Sequence, residues 1–555
     1  MKLSSCLLML GLFALLANTC NSHSKGGSTM ASSKWEGWLS WFLLRDLAGI
    51  TGPHTVGSGG GGPIQGPDLS QCRPEFPSYA RPVGYCCVPP NSTIIDYQVL
   101  PPTSPLRIRR PAHTADPAYI AKYAEAIALM KALPDDDPRS FNNQARIHCA
   151  YCNNGHSQLG FPGLDLQIHY SWLFLPWHRF FLYFHERILG SLIGDPTFAI
   201  PFWNWDSPLG MSLPHMYEAN SSSPLYSPNR DAAHQPLTTG RIIDLNYNGV
   251  YESPITAEEQ IDINLKLMYR QMVSNGKTTS LFLGASYRAG DKPAPGLGSL
   301  ETAPHGQVHA WTGDCKQPNC EDMGTFYTAA FDPIFFAHHG NLDRLWHVWK
   351  SSDAEHKNYD DVDFLEAAFF FYDENAQLVR VKIKDCLDEE MMGYTYQDVD
   401  LPWQTSRPTP ASPRTRVNTE VTTELTVASF PVTLGEEAVS MRVKRTRLFR
   451  NAKEEEVLVV EGIEIDMGVY VKLDVYVNAP PGLEGMTPAA SEFAGSFVSL
   501  PHRHGVMSKI VLRLGITDLL EDLEPEGDDN IVVTFVKRSG MGEIKIGWVF
   551  IEFIM

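Results

Sequence analysis

The stretch Pro304-His305-Gly306-Gln307-Val308-His309-Ala310-Trp311 sets two histidines four residues apart. At 3.6 residues per turn that spacing puts both imidazoles on one helical face, where they can converge on one metal ion. Gly, Gln and Val lie between them, so the Glu that a zinc protease carries after its first His is missing. Further on, Asp332-Pro-Ile-Phe-Phe-Ala-His338-His339-Gly-Asn-Leu-Asp343-Arg344 opens a helical run on two adjacent histidines. An earlier block holds His148, His169 and His178, too widely spaced for one helix but able to meet if neighbouring helices pack. Ligation by imidazole without carboxylate suits copper, zinc or nickel, and three neutral histidines with open positions suit O2 chemistry at copper. These blocks predict helices packed around a metal centre.

The flanking sequence agrees. Apolar residues recur at three and four residues over 118–133, 177–192, 257–273 and 333–349. The pattern then changes: 457–465, 469–477, 510–514, 531–536 and 544–551 have strand length and many β-branched residues. The expected architecture is a mainly α domain, a helix bundle around the metal site, at 67–403, followed by an all-β, sandwich-like domain at 417–555. Between them, QTSRPTPASPRTR at 404–416 reads as an exposed linker that cannot pack and as a natural protease site. The 555 residues include 45 Lys+Arg against 64 Asp+Glu, a net charge of −19, which argues against a nucleic-acid partner. The 43% hydrophobic content supports a packed core.

At the start, Met1-Lys2 precedes an apolar run at 7–17 too short to span a bilayer, so 1–20 reads as a signal peptide and 21–66 as a propeptide or flexible segment. With no stable membrane span, the expected destination is the secretory pathway, in vacuole or extracellular space, with the plastid thylakoid lumen as the alternative. Asn91-Ser-Thr and Asn220-Ser-Ser are glycosylation acceptors only on the secretory reading. Of ten cysteines, eight lie beyond the leader, a count that fits an oxidising compartment.

Taken together, His148-Cys-Ala-Tyr-Cys152, Leu166-Gln-Ile-His169, Ser171-Trp-Leu-Phe-Leu-Pro-Trp-His178, Phe202-Trp-Asn-Trp-Asp206 and the two later histidine blocks resemble the plant polyphenol oxidases, a type-3 copper family of the catechol oxidase and tyrosinase kind. The resemblance covers 67–555, with Asp400-Leu-Pro-Trp403 and Lys472-Leu-Asp-Val475 where the family has its interdomain and C-terminal signatures. It implies two copper ions, one held by His148, His169 and His178 and the other by His305, His309 and His339, with His338 a non-ligand neighbour. It implies a thioether between Cys152 and His169, disulfides Cys72–Cys87 and Cys86–Cys149, and Cys315 with Cys320 as an extra loop bridge similar to some aurone-forming members. Cys386 is then a buried free thiol. Asp343, one turn after His339, either orients a ligand ring or makes a helix salt bridge with Arg344 or another base. His185 stands where Tyr is common and reads as a hydrogen-bonded core histidine.

By the same resemblance Phe326 is the gate residue on which a phenol stacks, and Glu301 is the acid that orients a water near copper. The family's Asn partner for that water is replaced by Gly306, and Ala310 leaves a small side chain on the other wall. The implied activity is oxidation of o-diphenols to o-quinones with O2 reduced to water, with weak or no monophenolase. The alternatives are an aurone synthase acting on chalcones, as in aureusidin-synthase-type members, and a haemocyanin-like O2 carrier using the same six histidines. The implied partners are a phenolic substrate, O2 and an activating protease at 404–416. The β domain becomes a latency lid, with the loop at 478–492 as its plug.

Overall fold

The structure, a computed structural model, describes residues 61–73, 84–88, 93–99, 105–218, 220–235, 241–249, 255–411, 430–445, 454–480, 482, 486–502, 507–523, 529–540 and 543–555. The expected signal peptide, the Asn91 acceptor and 412–416 of the linker lie outside the described residues.

The first domain is built on the helices α1 (Pro117–Ala132), α2 (Phe141–Cys152), α3 (Phe174–Leu192), α4 (Ala257–Tyr269), α5 (Gly306–Thr312) and α6 (Ile334–Ser352). Helix α1 begins on Pro117 after Asp116, whose carboxylate accepts the Tyr119 N–H, and buries Tyr123, Ala126, Ile127 and Met130 along one stripe. Helix α4 starts with a capping box between Thr256 and Glu259 and runs on into a wider turn over Arg270–Ser274. Helix α2 is buried at every residue but Asn142, and Asn143, Gln144 and Arg146 are among the buried ones.

Helix α3 packs against α1 and α6. A buried ion network ties these elements together. Asp343 of α6 accepts from Arg179 Nε of α3 at 2.5 Å and from Arg109 at 3.0 Å, and also from the Tyr394 and Tyr396 hydroxyls. Arg109 and Arg107 both reach Glu186 on α3, at 2.9 and 2.8 Å. Burial pushes the Asp343 carboxyl up, but Arg179 and Arg109 overcome it and hold the group below its ordinary value.

Among the described residues the second domain has nine strands in two antiparallel sheets. In chain order they are β1 (Val432–Leu434), β2 (Val439–Lys444), β3 (Glu455–Asp466), β4 (Val471–Val477), β5 (Phe493–Ser499), β6 (Met507–Gly515), β7 (Asn530–Ser539), β8 (Ile544–Ile546) and β9 (Trp548–Ile554). One sheet runs β2-β7-β4-β5; the other runs β6-β3-β8-β1, with β9 also paired to β3. Apolar side chains of both sheets share one core with the helical domain, so the two domains bury a common face. Buried Lys472 of β4 crosses that face and donates to Asn246 O at 2.7 Å and Asn248 Oδ1 at 2.6 Å.

Residues 404–411 are mostly exposed but are anchored at points along their length. Trp403 is buried with its indole N–H on Asp206, Arg407 pairs with Asp522, and Thr409 bridges to Ala490. Their polar composition suits anchors of this kind, which are backbone and carboxylate groups rather than apolar surface.

Candidate metal centre

Histidines from four helices and one loop meet in the core of the helical domain. His148 and Cys152 lie one turn apart on α2, His178 is in the first turns of α3, and His169 is in the preceding loop. His305 caps α5, His309 sits within it, and His338 and His339 lie in the first half of α6. Two clusters result, His148/Cys152/His169/His178 and His305/His309/His338/His339, and within each the candidate ligand atoms lie within 4.8 Å of one another. The clusters face each other: the His178 and His339 rings stack at 4.1 Å between centroids, and His169 and His305 at 5.5 Å.

The ring nitrogens divide by role. Nδ1 of His148 meets Phe326 O at 3.1 Å, that of His178 meets Phe174 O at 2.8 Å, and that of His309 meets Met323 O at 2.8 Å. His169 Nδ1 faces Gln167 Oε1 at 3.3 Å, while the Gln167 amide donates to Cys152 O and Asn154. An Nδ1–H donated to oxygen fixes the tautomer and leaves Nε2 as a lone pair. Nε2 of His148, His169, His178 and His305 has no hydrogen-bond partner among the described residues, and the Nε2 atoms of His309 and His339 are 3.3 Å apart. Buried polar atoms are not normally left unpaired, so orphaned lone pairs converging on two points fit two metal ions. Burial pushes all six imidazoles below their ordinary value, to about 3 for His178 and about 4 for His309, so they are neutral as ligands must be.

His338 differs, because its Nδ1 accepts the Trp205 indole N–H at 3.1 Å. Asp343 touches no imidazole. The buried network of Arg179, Arg109 and two tyrosines uses both its oxygens, so Asp343 makes the salt bridge of its second reading, with other bases than Arg344, whose guanidinium goes to Asp206. Backbone carbonyls and Gln167 orient the rings instead. Carbonyls leave no mark in a sequence, but Gln167, two residues before His169, was open to view. His185 is fully buried and stacks on Phe336 at 3.5 Å, yet neither of its ring nitrogens has a partner among the described residues, so the expected hydrogen bond is missing. The disulfides are Cys72–Cys87, Cys86–Cys149 and Cys315–Cys320, the pairs implied by the resemblance. The second abuts His148. Cys152 and Cys386 are free and buried.

Phe326 lies on His169 at 4.0 Å between centroids. Glu301 is buried; its Oε1 accepts the Tyr170 N–H at 2.5 Å, its Oε2 has no partner among the described residues, and burial pushes its carboxyl well above the ordinary value. Gly306 and Ala310 are buried on α5. A segment of the β domain covers this face. A Cβ built on Gly306 would meet Val498 Cγ1 at 2.7 Å, Pro501 O accepts the Phe326 N–H at 3.3 Å, and the His502 ring stands edge-on to Phe326 at 4.2 Å. Among the described residues the covering segment is thus the end of β5 and 500–502; residues 481 and 483–485 of the loop at 478–492 lie outside the described residues. The described part of that loop is joined to its own domain through Asn478 with Val532, to the linker through Ala490 with Thr409, and to the helical domain, where Arg270 Nη2 donates to Ser491 O at 3.2 Å.

Two facing histidine clusters in a helical core, with a β domain over the opening, define a dinuclear copper oxidoreductase. Residues 138–352 match the common central domain of tyrosinase, 358–409 the polyphenol oxidase middle domain, and 430–553 the chloroplastic polyphenol oxidase C-terminal domain. The chain is 50% identical to the chloroplastic polyphenol oxidase of Malus domestica, over 96% of this chain and 92% of that one. It is 50% identical to the aureusidin synthase of Antirrhinum majus, over 88% of this chain and 89% of that one. The structure of latent apple tyrosinase superposes with a TM-score of 0.76 at 53% identity, covering 83% of this chain and 100% of that one. The chain belongs to the tyrosinase family of plant polyphenol oxidases.

These relatives overturn the secretory reading. The Malus domestica protein, and others from Vicia faba, Larrea tridentata and Vitis vinifera, are named chloroplastic. An apolar run after a single Lys marks a segment taken up by a translocase and does not say in which membrane. The Asn91 and Asn220 acceptors lose their premise with it, although Asn220 is exposed. Among the described residues no helix is long and apolar enough to cross a membrane.

Proposed function

We propose that this chain oxidises o-diphenols to o-quinones with O2 reduced to water, and that one copper is held by His148, His169 and His178 and the other by His305, His309 and His339. The observation that carries this reading is the convergence of the Nε2 atoms of His148, His169, His178 and His305, unpartnered among the described residues, with the facing Nε2 atoms of His309 and His339, while His338 Nδ1 takes the Trp205 N–H and leaves the ring proton on its own Nε2. Copper bound there would supply O2 binding and the two electrons that each catechol returns. The residues do the rest. Phe326 offers a ring face beside His169, and a pocket walled by Phe326, Gly306 and Ala310 admits a planar phenol while excluding water. Burial pushes the Glu301 carboxyl well above its ordinary value, which favours the protonated form, and its second oxygen, unpartnered among the described residues, is available to hydrogen-bond a water or the substrate. With glycine at 306 no side chain there helps it take a proton, which favours diphenols over monophenols. Cys152 lies beside His169 and His178, where a thioether to His169 would lock that ring.

The chain is further proposed to be latent while Val498–His502 covers the opening. The activating cut falls in the linker at 404–416, whose described residues 404–411 are mostly exposed. The relatives' names support a plastid destination. The aureusidin synthase relative supports a second reading, a chalcone oxidised to an aurone, for which the small residues at 306 and 310 leave room. The test is oxygen uptake on catechol by copper-loaded, linker-cleaved chain. Uptake abolished in His305→Ala is expected; no uptake with both coppers bound refutes the oxidase.

A further inference from the structure

In the intact chain the covering segment is a mould of the outer pocket. The His502 imidazole is a planar ring edge-on to Phe326 and nearly parallel to the Tyr170 phenol, 5.7 Å between centroids at 22°. Its Nε2 lies 3.4 Å from the Tyr170 hydroxyl, which also meets Ser499 Oγ at 3.0 Å. Both partners of that buried hydroxyl come from the β domain; the helical domain supplies none among the described residues. Tyr170 is otherwise fixed. Its N–H donates to Glu301, its carbonyl accepts the Gly296 N–H at 2.8 Å, and its backbone is left-handed at φ 64°. When the cover leaves, a rigidly held phenol hydroxyl is exposed on the wall with no partner of its own. A ring in the place of His502 packs on Phe326, which itself packs on His169, so that place is outside the one a copper-bound catechol takes.

We propose that Tyr170 is a specificity-determining residue whose hydroxyl hydrogen-bonds an oxygen on the second ring of a two-ring phenol, the first ring being the catechol at the metal pair. This rests on the phenol-oxidase reading of the same site. One-ring catechols do not reach Tyr170, whereas a diaryl phenol with an oxygenated far ring presents Phe326 and Tyr170 with what His502 presents now: a flat ring and a polar atom.

The test compares copper-loaded, linker-cleaved full chain, wild type and Tyr170→Phe, with three ligands: 4-methylcatechol, a catechol-bearing chalcone with a 4′-hydroxyl on its second ring, and the same chalcone without that hydroxyl. Loss of one neutral hydrogen bond raises KM and the calorimetric Kd about 3- to 10-fold for the hydroxylated chalcone alone, with kcat unchanged. A rise common to all three ligands, no rise for the hydroxylated chalcone, or no binding of either chalcone overturns the proposal. A residue serving only the cover would raise the activity of intact Tyr170→Phe chain and leave the three-ligand comparison flat, which also overturns it. Calorimetry needs no turnover, so failure to oxidise 4-methylcatechol would defeat the oxidase reading while the Kd comparison still decides on Tyr170.

Discussion

Gly306 is the position where the chemistry of the pocket and its closure meet, and replacing it with alanine separates the two. Its backbone is ordinary helix, φ −65°, so Ala costs nothing in conformation and gains about 0.5–1 kcal/mol of helix propensity in covered and open forms alike. The new methyl, however, falls 2.7 Å from Val498 Cγ1 and 3.4 Å from Val498 Cβ, and only in the covered form. A methyl forced into packed surroundings costs about 1–3 kcal/mol, which shifts the covered-to-open ratio by roughly 5- to 150-fold. The assay is oxygen uptake on 4-methylcatechol, with intact-chain activity expressed as a fraction of cleaved-chain activity so that any direct effect of the added methyl on the chemistry cancels. The fraction is expected to rise in Gly306→Ala. Val498→Ala removes the atom that clashes, so the double variant should show a smaller rise than the two singles combined. If the singles add, or if Gly306→Ala leaves the fraction unchanged, the contact does not hold the cover and the reasoning fails.

Other outcomes follow from the same geometry. Lys472→Met deletes two charge-assisted hydrogen bonds between the domains, worth about 1.5–3 kcal/mol each, and should raise intact-chain oxygen uptake while leaving cleaved-chain uptake unchanged. Asp343→Asn leaves the buried Arg179 and Arg109 short of a negative charge and should lower stability by about 3–5 kcal/mol in denaturant titration. Burial, with Asp332 nearby, raises the Asp322 carboxyl to about 7, so the folded chain holds a proton there that the unfolded chain has lost above about pH 4. Stability therefore falls as pH rises from about 4 to 7, and Asp322→Asn should gain in Tm over the wild type at pH 8 but not at pH 4, by thermal unfolding. Copper chelation should lower Tm, because converging lone pairs lose their ion, and His305→Ala should lower bound copper from about two per chain to about one by metal analysis.

What could be read from the sequence, and what could not, divides by whether a residue's role shows in its own type and spacing. The histidines do, since His305 and His309 at one helical turn, with the aromatic runs around His178 and His339, have few other uses. Helix α1 and strands β3, β4 and β7 were legible because a face, or a β-branched run, shows as a period. Helix α2 was not, since Asn143, Gln144 and Arg146 are buried in it although their polar side chains suit a surface. Asp343 was left between a ring orienter and a salt bridge for a related reason. Its spacing from His339 is right for an orienter, but its partners Arg109 and Tyr396 are far away in the chain, and only packing brings them to it.

The cover shows the same limit most clearly. The loop at 478–492 looks like a plug because proline and glycine suggest an exposed projection. A segment that seals an aromatic pocket must instead be buried on both sides, against its own sheet and against the pocket. Phe493-Ala-Gly-Ser-Phe-Val-Ser499 is buried along its whole length, so it shows no alternation of polar and apolar residues and passes for neither strand nor lid. Its small residues are what lets the two domains approach, and the fit at its end is completed by the absence of a side chain at Gly306. Glycine at 306 thus has two consequences that a sequence presents as one. It removes a polar group from beside Glu301, and it makes the space that Val498 fills.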